Sequence, residues 1–139
     1  MRILAVDPGE KRIGLAISDE LEISVNPMGV IQHESRKQSA EAIHIAAQER
    51  SAGMILIGCA LDEHGQPSAS GRKAMRLAEE IKLLTDLPVE LTDEYQTTNE
   101  AVALGLTLGL PKHKRRGHQD ATAAVILLQH FLETRRQEP

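Results

Sequence analysis

The stretch Leu4–Ser18, LAVDPGEKRIGLAIS, constrains the chain more than any other. An apolar run ends on Asp7 and a Pro-Gly pair turns the chain. A second run then alternates Ile13, Leu15 and Ile17 with Gly14, Ala16 and Ser18. Short apolar runs bounded by turn residues read as buried strands, and strict alternation reads as a strand with two distinct faces. The intervening PGEK predicts a hairpin. Such a chain builds a sheet first and must cover it with its later segments. It also leaves an aspartate at the end of an apolar strand, beside Lys11 and Arg12. Asp-Pro-Gly is an ordinary turn, yet a metal site also needs a carboxylate held rigidly at a sheet edge.

The remaining pattern supplies the cover. Residues 22–32 read as a third strand, where Pro27 predicts an edge position or a bulge. Residues 36–51 become helical, with Ala40, Ile43 and Ala47 on one face and Gly53 as the stop. A buried strand over 54–60 and a polar loop precede a helix over about 70–85 that presents Ala74, Leu77, Ala78, Ile81 and Leu84. A short strand follows over 88–92. Thr97 and Glu100 form a capping box for a helix that Gly109 and Pro111 end. PKHKRRGHQ reads as a basic loop. The last helix is expected to start near Asp120, carrying Ala121, Ala124, Val125, Leu128, Phe131 and Leu132 on one side, with residues 136–139 fraying. The order β-β-β-α-β-α-β-α-α predicts an α/β domain over residues 1–139, a mixed sheet with helices on its faces.

Composition limits the function. One Phe, one Tyr and no Trp leave an aliphatic core and no platform for stacking bases. Any nucleic-acid contact must then rest on charge, backbone and shape. The net charge of −4 does not favour bulk binding of polyanions, but Lys112 to Arg116, KHKRR, bunch locally. Cys59 is the only cysteine, which excludes a disulfide framework and reads as a small core residue. No apolar run reaches membrane-spanning length and no signal-peptide layout is present, so a soluble cytoplasmic protein without a membrane partner is expected. Neither GxxxxGK[ST], GxGxxG nor HExxH occurs.

Carboxylates stand where open sheets gather ligands: Asp7 closes the first strand, Asp93 and Glu94 follow the strand over 88–92, and Asp120 opens the last helix. Singly, they are a turn residue, charges ahead of a helix and a first-turn acid. Jointly they would repel one another unless cations neutralised them, and oxygen donors favour Mg²⁺ or Mn²⁺. Two such ions about 3.5–4 Å apart can clamp the attacking and leaving oxygens of a phosphodiester. Lys11, Arg12, Lys114, Arg115 and Arg116 are the candidate phosphate contacts, although a solvated basic loop explains the last three as well.

The chain resembles the YqgF/RuvX proteins, small members of the RNase H-like, RuvC-type nuclease superfamily. DPGEKRIGLAISD is similar to their opening D-x-G-x-K-x-x-G-x-A motif, and ILIGCALDEHGQPSASGRKA to their V-G-x-P-x-x-x-x-G segment. PVELTDEYQTTNEA resembles D-E-R-x-[ST]-T-x-x-A, and KRRGHQDATAAVILLQHFL the closing K…D-x-x-A-A-x-x-I-L helix. The resemblance runs from about residue 2 to 133. It implies a five-stranded mixed sheet with three leading antiparallel strands, and Asp7, Glu94 and Asp120 as catalytic acids that bind two Mg²⁺ or Mn²⁺ ions. It also implies processing of the 5′ end of pre-16S rRNA or resolution of four-way DNA junctions. A junction substrate would favour a homodimer over a monomer. Tyr95 replaces the family's arginine, Ala60 its proline, and Gln119 a usually aliphatic residue. The first change removes a planar cation suited to phosphate and motivates a rival reading, a non-catalytic nucleic-acid-binding module.

Overall fold

The computed structural model describes residues 1–93 and 112–137, with side chains described through residue 93 and again from 121 to 136. Five strands form one sheet: β1 (Arg2–Pro8), β2 (Arg12–Ser18), β3 (Val25–Gln32), β4 (Ala52–Cys59) and β5 (Val89–Asp93). Their order is β3-β2-β1-β4-β5, with β1–β2 and β2–β3 antiparallel and β1–β4 and β4–β5 parallel. Among the described residues the helices are α1 (Arg36–Glu49), α2 (Ala69–Lys82) and α3 (Lys112–Gln137). The three leading strands are thus an antiparallel meander, and the sheet is mixed, as expected. The Thr97–Glu100 capping box and the Gly109–Pro111 stop lie outside the described residues.

Strand alternation sorts the core into two layers. Leu4, Val6, Ile13, Leu15, Ile55 and Ile57 pack with Ile43 of α1 and Leu77 and Ile81 of α2. Ile3, Ala5, Ala16, Met54 and Leu56 pack instead with Ala124, Leu127, Leu128 and Leu132 of α3. Nearly continuous burial along β1 and β4 results from cover on both faces.

Irregular positions explain the predicted boundaries. Leu15 pairs with Gly29 but Ala16 pairs with Pro27, so Met28 is the extra residue of a bulge on the edge strand β3. Pro27 predicted this. Gly53 is not the helix stop. Helix α1 ends at the cap Arg50, and Ser51 adopts φ 55° just beyond it. Gly53 is itself a bulge residue, because Arg2 pairs with Ala52 and Ile3 with Met54. A Cβ on Gly53 would press on Met1, with Sδ at 3.0 Å.

The second helix starts and stops earlier than its apolar pattern suggests. Ser68 caps α2 by accepting from Gly71 N at 3.1 Å, and Leu84, read as part of the buried face, lies past the helix and is exposed. The basic segment differs most. Lys112 begins α3, so the run 112–119 is helical rather than a loop. The C-terminal turn also continues through Arg136, which was expected to fray. Arg135 Nη1 donates to Glu22 Oε1 at 2.9 Å, and Arg136 Nη2 donates to the Glu22 carbonyl.

Candidate active site

The C-terminal ends of β1, β4 and β5 share one edge of the sheet because the three strands are parallel. Asp7 sits at that edge and is only 9% exposed. It follows Ile3 and Ala5 in the alternation and therefore faces the α3 layer. Its partner on β2 is Gly14, so that strand puts no side chain directly opposite the carboxylate. Gly9 closes the turn after it. A Cβ there would collide with the carbonyl oxygen of Arg12, so the close approach that returns the chain into β2 requires glycine.

Helix α3 runs antiparallel to β1. Its Arg135 meets Glu22, which lies 3.9 Å from the Met1 amino group at the start of β1. From Arg135 back to Ala121 the helix rises about 21 Å, whereas Arg2 to Asp7 spans about 17 Å of strand. The turns that carry Asp120 therefore lie toward the Asp7 end. Asp120 belongs to α3, but its side chain is outside the described ones. Glu94 lies outside the described residues altogether, directly after Asp93, and so does Tyr95. Among the described residues no three His, Cys, Asp or Glu side chains form a metal-binding group.

Asp93 is a different case. It pairs with Cys59 at the ends of β5 and β4, and Cys59 belongs to the α1–α2 layer. Asp93 shares that face, on the other side of the sheet from Asp7. Burial pushes the Cys59 thiol up, and the Asp93 carboxylate adds to the shift. The Cys59 Sγ donates to the Gly71 carbonyl at 3.5 Å. A buried thiol held protonated is a core residue, not a nucleophile.

Of the predicted phosphate contacts, Lys11 is exposed in the β1–β2 turn and Arg12 is exposed at the start of β2. The backbone of Lys114, Arg115 and Arg116 lies in the first turns of α3; their side chains are outside the described ones. Sequence motifs did not single out Arg36, Lys73 and Arg76, which line one cavity next to Pro8. The available signal was the i, i+3 spacing of Lys73 and Arg76 beside buried Leu77.

Comparison with known proteins identifies the family and the fold. The sequence model of a family described as "RuvX: Holliday junction resolvase" matches residues 1–134. A relative from Anaeromyxobacter sp. (strain Fw109-5), named as a candidate pre-16S rRNA nuclease, is 36% identical over 97% of this chain and 98% of its own. The fowlpox virus Holliday junction resolvase has the same fold, with a TM-score of 0.61 at 12% identity over 96% of this chain and 99% of that one. So does T. thermophilus RuvC solved with Holliday junction substrate, with a TM-score of 0.54 at 17% identity over 99% and 96% of the two chains.

Proposed function

The chain belongs to the RuvX family of nucleases, and from that premise we propose that it is a metal-dependent endonuclease that processes the 5′ end of pre-16S rRNA. The observation that carries the reading is Asp7: a nearly buried carboxylate at the shared C-terminal edge of three parallel strands, flanked by glycine on β2. The relative named for pre-16S rRNA over its full length supports the substrate.

Asp7, Glu94 and Asp120 are all oxygen donors, a set that fits Mg²⁺ or Mn²⁺. Two such ions, when bound, supply a water of lowered pKa and charge stabilisation at the leaving oxygen. The chain's own part is to hold Asp7 rigid through its strand, with Glu94 and Asp120 completing the ligand set. Lys11, Arg12, Lys114, Arg115 and Arg116 hold the phosphate backbone. No helix among the described residues is long and apolar enough to cross a membrane; the proposed setting is the cytoplasm, where precursor rRNA is found.

The second reading is cleavage of four-way DNA junctions by the same residues, favoured by the family's description and by the fold shared with two resolvases. The test is cleavage of a labelled pre-16S rRNA 5′ fragment and a four-way DNA junction with Mn²⁺ or Mg²⁺, comparing wild type with Asp120→Asn. Metal-dependent RNA cutting lost in the variant is the expected result. Junction cutting without RNA cutting selects the second reading, and no cutting of either sinks both.

A further inference from the structure

We propose that Arg36, Lys73 and Arg76 form a second phosphate-binding subsite on the α1–α2 face, which holds the nucleic-acid backbone after it has crossed the sheet edge beside Asp7. The inference rests on the nuclease reading for its substrate and on a separate cavity for its geometry. That cavity measures about 240 Å³ and is bounded by the β1–β2 turn at Pro8–Glu10, by the start of α1 and by the middle of α2. Arg36 is the first residue of α1. Lys73 and Arg76 project from one side of α2 at a spacing of three. All three are exposed, and none forms an ion pair with a described residue. Among the described lining residues Glu10 is the only carboxylate, so these residues carry an excess of positive charge before His33 is considered.

The frame around these cations is fixed. His33 shares a hydrogen bond of 2.6 Å with buried Ser39 Oγ through Nδ1, and its backbone N–H donates to the Lys11 carbonyl at 2.8 Å. The cavity is thereby tied to the turn just after Asp7. Ser35 caps α1 next to Arg36, accepting from Gln38 N at 3.1 Å. Cations that form no ion pair with a described carboxylate, set around a concave surface, suit an anion with several acceptor oxygens. A phosphodiester is that anion. Among the described residues the lining offers no Phe, Tyr or Trp ring for a base, so the subsite positions the backbone without reading sequence.

The experiment measures affinity for the labelled RNA fragment in metal-free buffer over a series of salt concentrations. Wild type is compared with Arg36→Gln/Lys73→Gln/Arg76→Gln. A control, Arg50→Gln/Arg72→Gln/Lys82→Gln, removes the same charge away from the cavity. A lost phosphate contact flattens the plot of log K against log salt by about 0.7–0.9. The cavity variant should flatten by at least that amount and keep its thermal melting midpoint, while the control stays within half of it. Equal slopes in all three proteins, equal flattening in the control, or no RNA binding by wild type overturns the subsite. So does loss of polyglutamate binding in the cavity variant with RNA binding intact, which marks an acidic protein partner instead. Wild type that binds RNA but never cuts it overturns the nuclease reading alone, and the slopes still decide the subsite.

Discussion

Asp7 and Asp93 end parallel strands at the same edge of one sheet, yet they belong to opposite faces. Asp7 continues the Ile3–Ala5 row beneath α3, beside glycine. Asp93 continues the Val89–Leu91 row and meets Cys59 on the α1–α2 side. Being at a strand end therefore does not make an acid a ligand. Side-chain parity decides, because a period of two sends neighbouring residues to opposite faces. The pair Asp93–Glu94 looks like one acidic unit in the sequence; only Glu94 is proposed for the metal set.

The largest expected effect breaks the comparison directly. Asp7→Asn should lower metal-dependent cleavage by more than about 100-fold, since even residues that only orient metal ligands contribute 10–100-fold. Its circular dichroism should match wild type. Asp93→Asn should cut within a few-fold of wild type in the same assay.

Next comes the packing behind Asp93. A Cβ at Gly71 would collide with the Ala60 carbonyl and stand 3.1 Å from Cys59 Sγ. Gly71→Ala should destabilise the protein by about 1–3 kcal/mol, read as a lower urea midpoint at unchanged slope.

Asp93→Asn also sharpens the comparison through Cys59. Burial alone keeps the thiol above its ordinary range, so removing the carboxylate lowers its pKa only partway. The pH profile of alkylation should shift to lower pH while staying above that of a free thiol. The same profile in Asp7→Asn should match wild type.

The smallest effect concerns Asp19, on an exposed turn. Its carboxyl is held below the usual range chiefly by the N–H of Ser24, with that of Ile23 adding, at 3.0 and 2.7 Å to Oδ1. A lowered folded-state pKa gives stability that is present above the unfolded value of about 3.9. That stability is lost as pH falls through the folded value. Asp19→Asn should therefore make the urea midpoint fall slightly less steeply below about pH 4.

Much of the fold was legible because its strands carry strong periodic signals. Alternation from Ile13 to Ser18 and the Pro-Gly turn specified the hairpin, and Pro27 announced the β3 bulge. Helix ends were less legible. Ser51 takes a left-handed conformation that glycine usually takes, so Gly53 looked like the stop when it was a bulge residue pressed under Met1. The run Lys112–Gln119 looked like a loop because its cations carry no apolar face, yet it begins a helix. Within the site, Asp7 stood out through its place after an apolar run. Arg36, Lys73 and Arg76 did not, because only the packing of α1 beside α2 brings them to one cavity.

The most direct test of the central claim is calorimetric titration of Mn²⁺ into wild type, Asp7→Asn and Asp93→Asn in the absence of nucleic acid. The account predicts saturable binding that Asp7→Asn weakens at least tenfold and Asp93→Asn leaves within about twofold. Equal binding by wild type and Asp7→Asn, or a loss confined to Asp93→Asn, would contradict it.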